Sequence, residues 1–196
     1  MSFEKTRKKF WDYRRLLLSQ EVLPFNAGLV EEVGARLEQL ELILLKIQIL
    51  DQNRVRYVSR ENTEVTDGKF LHNNAFEVRM FAEAFYYFAG RARGILKHKE
   101  KPCPLLGSFE CSGVRNVRNL LIEHPEGSNS RAFTWSWTLG GVEGPALKVH
   151  REAGEKSAPI DLGLNINARE FRENLDAKLE MALQELAPNK PIEPTR

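Results

Sequence analysis

The longest helical repeat of the chain lies between Ala27 and Asn53 and restricts its fold more than any other feature. Apolar side chains recur there every three or four residues for about seven turns, which is the spacing of one face of an α-helix. They are Leu29, Val30, Val33, Leu37, Leu40, Leu44, Ile47 and Leu50. Because such a helix must bury its apolar face against other elements, we expect a mainly helical protein.

Four other segments also have the pattern of helices. The predicted helices are residues 2–23, 74–97, 112–123 and 167–186. Asn74 and Asn167 each precede a Glu by three residues, at Glu77 and Glu170, and this spacing is typical of the start of a helix. Residues 54–72 keep no single period, so we expect a loop there that has room for a short strand.

The apolar period changes at about residues 132–150, where aromatic and aliphatic side chains alternate with threonine and serine. The alternating apolar residues are Phe133, Trp135, Trp137 and Leu139. Gly140 and Gly141 then turn the chain into residues 146–150, which predicts a β-hairpin. We expect the aromatic face of this hairpin to be buried, since single-sided alternation is typical of a strand with one face on a core.

The fold class follows from these elements. Several amphipathic helices bury their apolar faces most simply in an antiparallel bundle, so we predict a bundle of four to five helices with an inserted β-hairpin at about 132–150. Residues 1–186 are expected to form a single domain. Residues 187–196 contain three prolines and are expected to form a Pro-rich C-terminal tail.

The overall composition excludes several classes of protein. With 42% hydrophobic and 29% charged residues, the chain has the balance of a folded globular protein. A net charge of +2 gives no general attraction to nucleic acid, so any contact with RNA has to be local. The first 15 residues contain no signal-peptide core, and no run of 18 apolar residues occurs. With only Cys103 and Cys111 as cysteines, we expect a cytoplasmic protein with no membrane span and no disulfide framework.

A short polar motif lies in the predicted helix 112–123 and just beyond it. Arg118 is followed by the polar Asn119, and five residues separate Arg118 from His124 in the sequence VRNVRNLLIEHPEG. This motif resembles the signature of the HEPN (higher eukaryotes and prokaryotes nucleotide-binding) superfamily, in which an Arg, a polar neighbour and a His lie at the end of a bundle helix. The resemblance covers about seven residues of this sequence.

The resemblance implies an activity and partners. Family members typically cleave RNA without a metal ion, in a cleft where two protomers bring their motifs together. Many belong to toxin–antitoxin or antiviral defence systems, and others bind nucleotides without cleaving RNA. The resemblance therefore implies a homodimeric, metal-independent endoribonuclease with an RNA substrate, no cofactor and, in a toxin–antitoxin setting, a cognate inhibitor protein.

The residue types of the motif suit this chemistry. His124 can accept the proton of a ribose 2′-hydroxyl or protonate the leaving oxygen, and Arg118 can hold the phosphate with its planar guanidinium. Asn119 would orient the substrate or His124 by hydrogen bonds. In an unbroken helix His124 would lie about 240° around from Arg118, on the wrong face, but Pro125 disfavours helical geometry at His124 and allows the ring to turn back.

A different interpretation gives these residues no catalytic role. Arg115, Arg118 and Asn119 would form a solvated helix face, and His124 would pack under the hairpin. The protein would then be a non-catalytic helical module for protein–protein interaction. Nucleotide binding without cleavage is a third alternative.

Both cysteines and two of the four histidines are possible ligands of a metal ion. His98, Cys103, Cys111 and His124 are residue types that bind zinc, but their spacing lacks the paired short steps of zinc sites. We therefore predict no metal site and expect buried, inert thiols.

Basic residues lie at the end of the predicted helix 74–97, where they complement the helix dipole or, alternatively, bind the phosphates of a nucleic acid. They are Arg91, Arg93, Lys97, Lys99 and Lys101.

Overall fold

The computed structural model describes seven stretches of the chain, and within them lie five helices and three strands. The stretches are residues 2–20, 26–60, 68–98, 103–119, 133–141, 144–151 and 162–187. The helices are α1 (Glu4–Ser19), α2 (Ala27–Arg60), α3 (Gly68–Lys97), α4 (Ser112–Arg118) and α5 (Leu164–Leu186). The strands are β1 (Phe133–Gly141), β2 (Gly144–Arg151) and β3 (Leu162–Gly163). No helix in these stretches is both long enough and apolar enough to cross a membrane.

The two longest helices, α2 and α3, form an antiparallel pair to which the other helices are added. Glu32 near the start of α2 forms an ion pair with Arg91 near the end of α3, and Arg36 further along α2 lies over the ring of Phe88 earlier in α3, so the two helices run in opposite directions. Helix α1 packs against α2 and α5, while α4 packs against α3 and α5. The buried core is built from one face of each helix, with Phe10, Tyr13, Val33, Leu37, Leu40, Phe85, Ala89, Val114, Val117, Phe171 and Leu175 among its members. The predicted helical bundle is confirmed.

The starts of two helices differ from the sequence prediction. Helix α5 begins at Leu164, so Asn167 lies inside it and does not cap it. The Asn167 side chain is buried and donates a hydrogen bond from Nδ2 to the hydroxyl of Tyr86 on α3, at 2.8 Å. The capping pattern failed here because it is local, whereas this hydrogen-bond partner comes from a different helix and satisfies the buried amide.

The prediction of a loop at residues 54–72 is also wrong in part, because helices occupy both ends of this range. Helix α2 continues to Arg60 and α3 begins at Gly68, so Asn74 lies within α3. Residues 61–67, between the two helices, lie outside the described residues. A helix that has already started gains one hydrogen bond for each added residue, so polar residues of ordinary helix propensity extend it even where the apolar period fades.

The three strands form one antiparallel sheet in the order β1-β2-β3. The register of β1 and β2 runs from Phe133 opposite Arg151 to Thr138 opposite Ala146, with a shift between Thr138 and Gly141. Strand β3 pairs with β2 and leads directly into α5. That β1 and β2 are an insertion into a bundle that is complete without them stays a prediction.

Candidate functional site

Two of the three residues of the polar motif lie at the end of α4. Val114 and Val117 are buried and fix this short helix on the core, while Arg115 is exposed. Arg118 is the last residue of α4, and Asn119 follows it with helical backbone angles. Both side chains are half-buried. His124, predicted as the acid/base, lies outside the described residues.

Arg118 lines a cleft between three helices. The cleft has a volume of about 390 Å³ and is open to solvent. Its lining comes from the start of α2, the last turns of α3 and the end of α4, and consists of Asn26, Leu29, Gly90, Arg91, Gly94, Ile95, His98 and Arg118. Two arginines and one histidine therefore line the cleft together with the apolar residues Leu29 and Ile95.

Asn26 caps the start of α2 at one edge of the cleft. Its side-chain oxygen Oδ1 accepts a hydrogen bond from the backbone N–H of Leu29 at 3.1 Å, and its carbonyl accepts one from the N–H of Val30 at 3.0 Å. The first turn of a long helix carries partial positive charge, which favours anions nearby. The edge of the cleft at α2 thus adds to the positive potential of the arginines.

The Arg118 side chain crosses α3 at Gly90. A Cβ added to Gly90 would overlap Cδ of Arg118 and would lie 2.8 Å from its Nε. One turn further along α3, a Cβ added to Gly94 would meet no atom within 4 Å. Arg118 is therefore held along a neighbouring helix, which differs from the alternative in which Arg115, Arg118 and Asn119 share one solvated face.

The described basic residues at the end of α3 lie on two sides of the helix, and Lys99 and Lys101 of the predicted cluster lie outside the described residues. Arg91 lines the cleft and forms a weak ion pair with Glu32, whose Oε1 lies 3.8 Å from the Arg91 Nε. Arg93 is rotated by about 200° from Arg91. It forms an ion pair with Glu110 at 2.6 Å, and Lys97 donates a hydrogen bond to the same carboxylate. Hydrogen bonds from Lys97 and then Arg93 lower the pKa of Glu110 to about 2.

The two cysteines are buried and separate from the cleft lining. Burial raises the pKa of Cys103 to about 12 and that of Cys111 to about 11, so both are protonated at neutral pH. Within the described residues, no three His, Cys, Asp or Glu side chains come together as metal ligands. His98, considered with these cysteines as a zinc ligand, lies instead in the cleft with Arg118.

Sequence reasoning found Arg118 and Asn119 but missed the residues that surround them. Gly90 and Gly94 are four residues apart and so lie on one face of α3, a spacing that indicates close approach of another chain segment. Asn26 follows Pro24 and precedes the long apolar repeat, as a capping residue does. These signals were present, although none of them identifies Arg118 as the neighbour.

The cleft has the chemistry of an anion-binding site. A half-buried guanidinium forms charge-assisted hydrogen bonds with two oxygens of a phosphate or carboxylate, and Arg91 and the start of α2 add positive potential. Comparisons of the chain with protein-family models, curated proteins and solved structures find no match. The apolar side chains beside the arginines suit a ligand that has both an anionic and an uncharged part.

Proposed function

We propose that the protein binds RNA through a phosphate group held in this cleft and cleaves it without a metal ion. The observation that carries the proposal is that Arg118, the arginine of the HEPN-like motif, lines a cleft together with Arg91 and His98. Arg118 is half-buried there, so its attraction to a phosphate is screened less by water than that of an exposed arginine. Arg118, which belongs to the HEPN-like motif, and Arg91 together hold the phosphate.

The cleavage step uses the remaining residues of the motif. The ribose 2′-oxygen attacks the adjacent phosphorus while His124 accepts the hydroxyl proton, and the bond to the 5′-oxygen breaks as that oxygen takes up a proton from solvent water. The products are a 2′,3′-cyclic phosphate and a 5′-hydroxyl. Arg118 stabilises the charge that develops on the phosphate oxygens, and Asn119 orients the substrate. The role of His124 rests on the HEPN-like motif alone.

The test measures cleavage of a panel of single-stranded RNAs in the presence of EDTA. Arg118→Ala is compared with Arg115→Ala, which removes the same charge from an exposed position one turn earlier in α4. His124→Ala is compared with His98→Ala, because His98 is the imidazole that lines the cleft. We expect Arg118→Ala and His124→Ala to lose cleavage by roughly 10²-fold or more while melting like the wild type. A wild-type protein that neither binds nor cleaves any RNA would contradict the proposal.

An apolar stripe on α2 supports a protein–protein contact, which is the function of the non-catalytic alternative and also a requirement of the proposal above. Leu42, Leu45 and Ile49 are 64%, 51% and 42% exposed, although the core-facing Leu40 and Leu44 on the same helix are buried. The spacing of three and four residues puts the three exposed side chains on one face. We propose that this stripe binds a second copy of the chain, as the HEPN-like mechanism requires, and that a cognate inhibitor would act on the assembled cleft.

Light scattering at micromolar concentration tests the homodimer. Leu45→Glu places a charge in the centre of the stripe and should shift the protein to a monomer without changing its helix content. Gln48→Glu, which adds the same charge at an exposed position of α2 that is not three or four residues from Leu42 or Ile49, is the matched control. A wild-type protein that is already monomeric contradicts the dimer, and RNA cleavage by that monomer would show that one copy of the cleft is sufficient.

We also propose that the β1–β2 hairpin is an insertion between α4 and α5. In the chain, β1 and β2 follow α4 and precede β3 and α5. Strand β2 contacts α2 and α5, so the hairpin lies against the bundle. Replacing residues 133–151 by a short flexible linker should preserve most of the helical circular dichroism signal. Loss of cooperative melting in that variant would show that the hairpin is part of the domain.

A further inference from the structure

Gly90 determines where the Arg118 side chain can lie. Arg118 starts from the end of α4, which is fixed on the core by Val114 and Val117, and its Cδ occupies the space that any side chain at position 90 would need. A larger residue at position 90 would therefore push Arg118 away from α3. The position of the guanidinium would change although no residue with a charge had been altered.

Gly94 has a different relation to the same cleft. The space around its missing side chain is open, and it lines the cleft beside Ile95 and His98. Gly90 and Gly94 thus lie on one face of α3. Arg118 occupies the space beside Gly90, whereas the space beside Gly94 is empty. A volume of about 390 Å³ is near the lower end of small-ligand pockets and suits one nucleotide unit better than a longer stretch of RNA.

We propose that Gly90 is a positioning residue for Arg118 and that Gly94 leaves the space in which one nucleotide unit of the RNA binds. This inference rests on the proposed function, in which Arg118 binds a phosphate. The phosphate lies at Arg118 and Arg91, and the uncharged part of the nucleotide lies along Leu29 and Ile95. The free energy of a guanidinium–phosphate contact depends on hydrogen-bond geometry, so a displaced Arg118 loses much of it.

The first experiment compares Gly90→Ala with Gly94→Ala in RNA binding, measured by fluorescence anisotropy with a short labelled single strand. Both variants replace a glycine within α3 by alanine and so change helix propensity equally. We expect Gly90→Ala to weaken binding about 10- to 100-fold and Gly94→Ala to weaken it less, because a methyl group at position 94 does not displace Arg118 and fills only a small part of the open volume. Melting temperatures establish that both variants are folded.

Two further measurements separate positioning from general damage. If Arg118 no longer contacts a phosphate in Gly90→Ala, the slope of log affinity against log salt should fall by about one contact, whereas a loss of folded protein leaves the slope unchanged. In an Arg118→Ala background, Gly90→Ala should cause no further loss, because it acts through Arg118. Wild-type binding and slope in Gly90→Ala, or additive losses in the double variant, would overturn the positioning role.

The nucleotide space is tested with a larger side chain. Gly94→Leu should fill the cleft and weaken RNA binding at least 10-fold, and it should equally weaken binding of a free nucleoside monophosphate, while binding of inorganic phosphate should change less. Equal RNA affinity in Gly94→Leu and Gly94→Ala would overturn this part of the inference. Absence of RNA and phosphate binding in the wild type would instead remove the proposed function itself.

Discussion

Two cationic regions lie on opposite sides of the last turns of α3, and they differ in what surrounds their charges. On one side, Arg93 and Lys97 share the carboxylate of Glu110. The segment of residues 103–111 that carries Glu110 is held further by Asn174, which donates a hydrogen bond to the Glu110 carbonyl, and by Lys178, which donates one to Ser108. On the other side, Arg91 and Arg118 line an open cleft.

The difference shows that a cluster of basic residues in a sequence does not itself define a binding site. Arg93 and Lys97 contact Glu110 and so fasten the segment of residues 103–111 to α3, which is a structural role. The arginines of the cleft lie beside open volume of about 390 Å³, where a ligand anion can reach them. We call the region of Arg93, Lys97 and Glu110 the anchored side, and the region of Arg91 and Arg118 the cleft side.

The largest expected effect concerns the two thiols that bracket the anchored segment. With pKa values of about 12 and about 11, Cys103 and Cys111 present about one thiolate in 10,000 and one in 1,000 at pH 8. A disulfide reagent should therefore modify them at least about 100-fold more slowly in the native protein than in denaturant, where the thiol pKa is about 8.5. Fast modification of the native protein would show that this side opens readily.

The next effect is on the stability of the anchored side. Phe109 is fully buried and its ring meets that of Phe171 edge-on, with centroids 5.2 Å apart. Phe109→Ala should lower the free energy of unfolding by about 3–5 kcal/mol, and Phe109→Leu by less, because the cavity is smaller. Urea denaturation measures both. RNA affinity of the folded variants should stay unchanged, and a parallel loss of affinity would mean that the two sides are not independent.

On the cleft side, the corresponding substitution should weaken RNA binding and leave the stability of the fold unchanged. Arg118→Ala should weaken RNA binding by about 10- to 100-fold, since a charge-assisted contact with phosphate is lost. Arg93→Ala removes the same charge from the anchored side and is the matched comparison. We expect it to change affinity by less than about 2-fold in 150 mM salt, because Arg93 lies beyond a direct contact with the ligand. Equal losses in both variants would mean that only overall charge matters.

The smallest expected effect is the pH dependence of the Glu110 contacts. The folded-state pKa of Glu110 is about 2, below its ordinary value of 4.5, so the contacts stabilise the protein above about pH 5 and are lost as the pH falls toward 2. The carboxylate is exposed, so the contribution is below about 1 kcal/mol. Glu110→Gln should flatten the stability profile between pH 5 and 2, and 1 M salt should reduce the difference between variant and wild type.

The sequence predicted the elements that depend on a repeated pattern. The apolar period of Leu37, Leu40 and Leu44 located α2, and the Arg118-Asn119 motif pointed to one edge of the cleft. Asn167 was assigned to a helix start because the pattern around it is local, whereas its partner Tyr86 lies 81 residues away in the chain. Contacts of this kind depend on how helices are placed together, which no short motif encodes.

The same limit applies to the cleft. Arg91 and Arg93 are two residues apart in a basic cluster, yet a helical rotation of about 200° separates them. Their separation could be predicted from the sequence. The contact of Arg118 with Gly90 could not be predicted from the sequence, since it depends on the position of α4 on α3. His124 lies outside the described residues, and its role stays a prediction.

Gly113 of α4 gives the short helix a second close contact, at the end away from Arg118. A Cβ there would overlap Oδ1 of Asn167 and lie 2.8 Å from Oε2 of Glu170, both on α5. A helix of seven residues has little stability of its own. Its position is therefore set at one end by α5 and at the other by Gly90 of α3. A small sliding of α5 along α3 would tilt α4 and move the guanidinium of Arg118, so the geometry of the cleft depends on a helix that does not line it.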